Sequence, residues 1–211
     1  MAHHLIYHPK RCKAIFGETT VYYDKPSGNH DPYVWNKNFL HTFCHMTELV
    51  NPCTGDVQFW VSGDRFPDFS ALTCDLVFKV QNVCEWEERN SISATDAIVD
   101  TALSYEEHYR WAHKQPYTKR VRKTLKAHPT ESFQPQSSSA ELIDILPFLK
   151  TIGLPEERLR VGLIKGFASK PLLLDDQQSK LLYDHISRVA PVRLIGSKLE
   201  QIRKNRMRLP R

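Results

Sequence analysis

Three potential metal ligands recur at helical spacing in the first quarter of the chain. His41 and His45 are four residues apart and Glu48 follows three residues later, so on a helix all three share one side. Two imidazoles and a carboxylate in this arrangement bind a metal ion or act as an acid–base group. A solvated polar helix side explains the same spacing. A metal site is therefore one hypothesis for these residues. The other is that they lie on the solvent-exposed polar face of a helix.

A second set of polar residues surrounds the apolar runs in the middle of the sequence. Asp64 and Asp68 follow one run in the loop GDRFPDF, and Asp75 and Lys79 lie four apart in the next run. Acids at strand ends beside a lysine suit phosphodiester cleavage with a divalent metal such as Mg²⁺, because the metal lowers the pKa of the attacking water. The alternative is a polar loop in which Asp64 and Asp68 form turns. A divalent metal is the one cofactor that the sequence suggests.

Two segments concentrate the positive charge of the chain. The first basic segment (114–126) has six basic residues and no acid, and the second (193–211) has seven basic residues and one acid, Glu200. Each carries a formal +6, which leaves −7 on the rest of a chain whose net charge is +5. This asymmetry favours a polyanionic partner. The candidate nucleic-acid ligands are Lys119, Arg120, Arg122, Lys123, Lys126, Arg203, Lys204 and Arg206.

Hydrophobic patterning predicts an α+β fold with a β-rich mixed-sheet N-terminal part, one packed helix there, and a helical C-terminal part. LIY and AIFGETTVYYD predict strands with a turn near Gly17, and VQFWVSGD and TCDLVFKVQ predict two neighbouring strands. Apolar residues at helical spacing predict helices over 32–50 and from Ser93 to Ala112. The same spacing of Tyr117, Val121 and Leu125 predicts a second, strongly basic helical segment over 117–126.

The C-terminal third contains signals for helix starts and for a linker. The Pro-, Ser- and Gln-rich stretch 128–139 predicts a linker, which divides the chain into an α+β domain (1–127) and a helical region with a basic tail (140–211). Helices are expected in ELIDILPFLK, after Pro155, after Asp175 or Asp176, and in SKLEQIRKNRMRL.

Composition limits the classes of protein and of partner. The five cysteines are odd in number and irregularly spaced, which predicts reduced thiols and a cytoplasmic protein, and no segment predicts a membrane partner. No P-loop, dinucleotide fingerprint, GxSxG or HExxH motif occurs. The favoured function is nucleic-acid binding, with processing or modification of DNA or RNA left open. The alternatives are a metal-dependent enzyme acting on a nucleotide or small phosphorylated substrate, and an interaction subunit with an acidic partner protein.

Overall fold

The structure, a computed structural model, describes residues 1–8, 11–23, 52–63, 70–85, 123–163 and 171–207 of the 211-residue chain. The helices expected over 32–50 and 93–112 lie outside these residues. The strands are β1 (His3–His8), β2 (Cys12–Phe16), β3 (Thr19–Tyr23), β4 (Val57–Gly63), β5 (Leu72–Glu85), β6 (Lys123–Ala127), β7 (Gln134–Gln136), β8 (Ile143–Asp144), β9 (Leu172–Leu174) and β10 (Val192–Leu194). The helices are α1 (Leu146–Thr151), α2 (Glu156–Leu163), α3 (Asp176–Val189) and α4 (Gly196–Met207).

A six-stranded mixed sheet forms the centre of the described structure. Its order is β6-β5-β4-β1-β9, and the short strand β8 also pairs with β5. The β1/β4 pair is parallel, whereas β5 is antiparallel to β4 and β9 is antiparallel to β1. The described residues also form two small antiparallel sheets, β2/β3 and β7/β10. The α+β fold is thus confirmed.

Side chains alternate along β4 and divide the core into two apolar clusters. Val57, Phe59 and Val61 belong to a helix-side cluster that includes Leu149 of α1, Leu159 of α2 and Leu182 of α3. Trp60 belongs to a hairpin-side cluster. That second cluster contains Ile6, Val21, Trp60, Leu76, Phe78, Val80, Leu125, Ala127, Leu194 and Leu199. The central sheet therefore has buried apolar residues on both sides, with α1 to α3 on one and the β2/β3 hairpin and α4 on the other.

Glutamine side chains hold the β2/β3 hairpin against β7. The Gln134 amide oxygen accepts from the Tyr22 backbone N–H (2.9 Å), and its amide nitrogen donates to the Tyr22 carbonyl (2.8 Å). The Gln136 amide nitrogen donates to the Thr20 carbonyl (2.9 Å). The Tyr22 hydroxyl also donates to Glu141 (2.6 Å). The glutamines thus satisfy backbone groups of β3 much as a neighbouring strand would.

Local signals correctly predicted several elements. The turn of the β2/β3 hairpin contains Gly17 at φ +60°, where a residue without Cβ avoids strain. Helix α3 begins after Asp175, whose carboxylate accepts from the Gln178 backbone N–H in a capping box. Helix α2 begins directly after Pro155, as expected.

Two expectations about the middle of the chain are wrong. The helix predicted for the first basic segment is contradicted at its end, because Lys123 and Lys126 lie on strand β6, which pairs with β5. The linker predicted over 128–139 is contradicted at Ser132, Phe133, Gln134 and Gln136, which are all buried. Phe133 even joins the helix-side cluster. The polar composition of this stretch was misleading, because Gln134 and Gln136 are buried and their side-chain amides are hydrogen-bonded to the backbone of β3.

Limited proteolysis should spare this segment. Cleavage needs local unfolding, and cutting between Thr130 and Ser137 would break the pairing of β7 with β10 and expose Phe133. We expect the first cuts in native protein to fall elsewhere, as measured by mass spectrometry of early fragments. An early cut between those residues would show that this stretch opens independently.

Candidate functional site

The hairpin side of the central sheet carries a row of buried polar side chains. Gln58 and Ser62 alternate with the apolar residues of β4 and therefore share the side of Trp60. His4 lies opposite Gln58 in the β1/β4 pairing. Gln58 is fully buried, Ser62 is 2% exposed and His4 is 7% exposed. Strands buried on both sides are normally apolar throughout, so this row is the unusual feature of the sheet.

An ion pair lies at an irregularity of β5. Trp60 pairs with Leu76 and Val61 with Cys74, which leaves Asp75 as the extra residue of a β-bulge. The Arg11 guanidinium donates through Nε to the Asp75 carboxylate, and both side chains are only 1% exposed. Bulges redirect side chains, and they are frequent beside active sites. Arg11 was not singled out from the sequence, because its partner is defined only by the fold.

Asp75 and Lys79 have different partners. Four residues of extended strand separate their Cα atoms by about 13 Å. Lys79 Nζ instead pairs with Glu131 (2.7 Å), next to His128. The catalytic role proposed for these residues stays a prediction. Asp64 and Asp68, the other two members of the predicted catalytic set, lie outside the described residues.

His128 and Glu131 are residue types that form catalytic dyads, but their contacts differ from those of a dyad. The imidazole Nε2 lies 3.2 Å from the Glu131 carboxylate, and Nδ1 accepts from the Glu131 backbone N–H at 3.2 Å. Both ring nitrogens are thus engaged by the same residue. An acid–base histidine needs one nitrogen directed at a substrate, so the contacts indicate a structural role in the turn after β6.

The described parts of both basic segments contribute apolar residues to one cluster. Lys123 and Lys126 lie on β6, whose Leu125 and Ala127 belong to the hairpin-side cluster. Arg203, Lys204 and Arg206 lie on α4, whose Leu199 belongs to the same cluster and whose Ile202 packs against it. Lys119, Arg120 and Arg122 lie outside the described residues, as do the proposed metal ligands His41, His45 and Glu48.

The described part of the chain contains no group of three or more His, Cys, Asp or Glu side chains able to hold a metal ion. In the same part, every helix is too short or too polar to cross a membrane. Cys12, Cys53 and Cys74 are present as thiols and not in disulfide bonds, in agreement with the prediction for these three.

Comparisons of the chain with protein-family models, with curated proteins and with solved structures find no match. Function must therefore be inferred from the residues themselves.

His4 should make stability depend on pH. Burial lowers the pKa of its imidazole below 6.5, so the folded protein resists the protonation that the unfolded chain accepts. The free energy of unfolding therefore falls as the pH drops through 6.5 toward the lowered pKa. In His4→Leu this dependence should weaken, by about 1.4 kcal/mol for each unit of the original shift. Urea unfolding of both proteins between pH 5 and 7.5 measures the difference, and parallel curves would contradict it.

Proposed function

We propose that this protein binds nucleic acid through phosphate contacts made by its two basic segments, 114–126 and 193–211. The observation that carries the proposal is that Leu125 of the first segment and Leu199 of the second belong to the same apolar cluster. The segments are about 70 residues apart in sequence. The described parts of both segments are therefore anchored in the hairpin-side cluster.

Electrostatics explain why such an arrangement favours a polyanion. Each segment carries a formal +6 while the rest of the chain carries −7. Basic side chains that lie within a Debye length of one another, about 8 Å at physiological salt, repel each other, and a polyanion relieves this repulsion. A phosphate backbone supplies that counter-charge, and release of its condensed ions drives association. Phosphate contacts position a nucleic acid and do not read its sequence.

Purification provides a test of this function. Protein purified at low salt should carry nucleic acid, seen as a raised ratio of absorbance at 260 nm to that at 280 nm, and washing with high salt should lower the ratio. Nuclease digestion of the released material with DNase or RNase identifies its type. Protein that purifies free of nucleic acid at low salt, and that fails to bind added DNA or RNA, would overturn the proposal.

A further inference from the structure

Strand β9 forms one edge of the central sheet. Among the described strands it pairs with β1 alone, and β6 is the opposite edge. Backbone N–H and C=O groups alternate in direction along a strand, so some of those in β9 point away from β1. Leu174 belongs to the helix-side cluster and Leu172 packs against it, whereas Leu173 lies on the other side of the strand and is 58% exposed. The edge therefore presents backbone hydrogen-bonding groups beside an exposed leucine.

A cleft of about 610 Å³ lies beside this edge and is lined by residues of β9, α2 and the start of α3. Helix α2 approaches β9 closely, since a Cβ added to Gly162 would lie 3.2 Å from Leu172 Cδ1. Arg158 of α2 lines the cleft. Val161 lies one turn further along the same helix face and is 69% exposed. The cleft is thus bordered by an edge strand and by a helix.

Exposed apolar side chains are concentrated around this cleft. The described residues expose six large apolar side chains, and three of them, Met1, Val161 and Leu173, line or flank the cleft. Single exposed apolar residues are ordinary, but a group of them marks an interaction surface. Their clustering favours a partner that brings apolar side chains of its own.

The charged groups of the cleft define what else the partner carries. The two acids that line it are engaged within the fold, because Asp175 caps α3 and Asp176 lies 3.3 Å from the His3 imidazole nitrogen. Arg158 also lines the cleft and has no acidic partner among the described residues. A carboxylate is the group that complements a guanidinium. The cleft therefore fits a partner with a carboxylate beside apolar side chains.

We propose that β9 and this cleft bind an extended peptide segment of a partner protein, which adds to β9 as a strand and places a carboxylate against Arg158. In this mode of recognition, main-chain hydrogen bonds provide affinity and alternate side chains provide specificity. Side chains on one side of the added strand contact Leu173, and those on the other side contact Val161 and Arg158. Because β6 is the opposite edge of the sheet, the peptide leaves the basic residues of β6 accessible.

Titration of the full chain with two blocked peptides, followed by methyl NMR, tests this site. The peptide GSLELVLSG places its leucines on one side of a strand and its glutamate and central valine on the other, and GSLKLVLSG replaces the glutamate with lysine. At millimolar concentration the first peptide should shift the methyl signals of Leu173 and Val161 and should bind more tightly than the second. Arg158→Glu should invert this preference. Each change should amount to at most about fivefold, the size of one exposed ion pair.

Two further comparisons separate strand addition from non-specific contact. Leu173→Lys should remove the shifts, and Val189→Lys, which changes an exposed apolar residue at the far end of α3, is the matched control and should bind like the wild type. N-methylation of alternate residues in the LELVL core should abolish binding for one alternate set and be tolerated for the other, because only one set of N–H groups points toward β9.

Several results would overturn the proposal. Absence of shifts at Leu173 and Val161 with both peptides would do so, as would a charge preference that Arg158→Glu leaves unchanged. Tolerance of both methylated sets would exclude strand pairing. A wild type that is dimeric in solution and becomes monomeric on Leu173→Lys would show that a second copy of the chain, and not a partner peptide, occupies the edge.

Discussion

Replacing Asp75 with asparagine is expected to lower the free energy of unfolding by up to about 3–5 kcal/mol, because it removes one charge of a buried ion pair. The Arg11 and Asp75 side chains are each 1% exposed, so water cannot replace the missing partner. Chemical denaturation followed by circular dichroism measures the change. The double variant Arg11→Met/Asp75→Leu should recover much of the loss, since well-packed apolar side chains often substitute for a buried pair.

An exposed ion pair provides the matched control for this prediction. Lys180 and Asp184 lie one helical turn apart on α3, with side chains 76% and 56% exposed. Asp184→Asn removes the same charge from a solvated pair, and such pairs contribute only about 0.3–0.5 kcal/mol. Equal effects of Asp75→Asn and Asp184→Asn would contradict the buried pairing of Arg11 with Asp75.

Neutralising the first basic segment should produce the largest effect on binding. The variant Lys119→Gln/Arg120→Gln/Arg122→Gln/Lys123→Gln is expected to weaken binding about equally for unrelated sequences, because phosphate contacts carry no base information. Its plot of log affinity against log salt on duplex DNA should be shallower by about 0.9 for each phosphate that the variant no longer neutralises. Thermal stability should change little where these charges are exposed.

A charge-matched control removes four positive charges elsewhere. Lys13, Lys150, Arg158 and Lys180 lie outside both basic segments, and their replacement by glutamine changes the net charge by the same amount. Similar weakening in both variants would show that net charge, and not the first segment, controls binding. The second segment is tested by Arg203→Gln/Lys204→Gln/Arg206→Gln. Substitution is preferable to truncation here, because deleting α4 would also remove Leu199 from the core.

Local sequence rules predicted elements whose signals are local. The capping residues of α3 and the valine- and aromatic-rich run of β4 are visible without tertiary context. Strands β9 and β10 have three residues each, too few to show a period. Strand β6 was assigned to a helix because the spacing of Tyr117, Val121 and Leu125 fits one, yet pairing with β5 determines its conformation.

The candidate site was less accessible to sequence analysis than the fold. Asp75 was singled out for its charge, but its partner Arg11 is 64 residues away and is identified only by the folded structure. Gln58 and His4 were missed because their position side by side in the buried sheet depends on strand register. A usable signal was present: VQFWVSG is a strand buried throughout, and glutamine at its second position is out of place there.

The most direct test of nucleic-acid binding is a fluorescence-anisotropy titration of labelled single-stranded RNA, single-stranded DNA and duplex DNA with the wild-type chain at 50 and 200 mM salt. Phosphate contacts from the basic segments predict saturable binding to at least one of them at low salt, an affinity that falls steeply at the higher salt, and little preference among unrelated sequences. Absence of binding to all three at 50 mM salt would contradict this function and would leave the basic segments to an acidic protein partner.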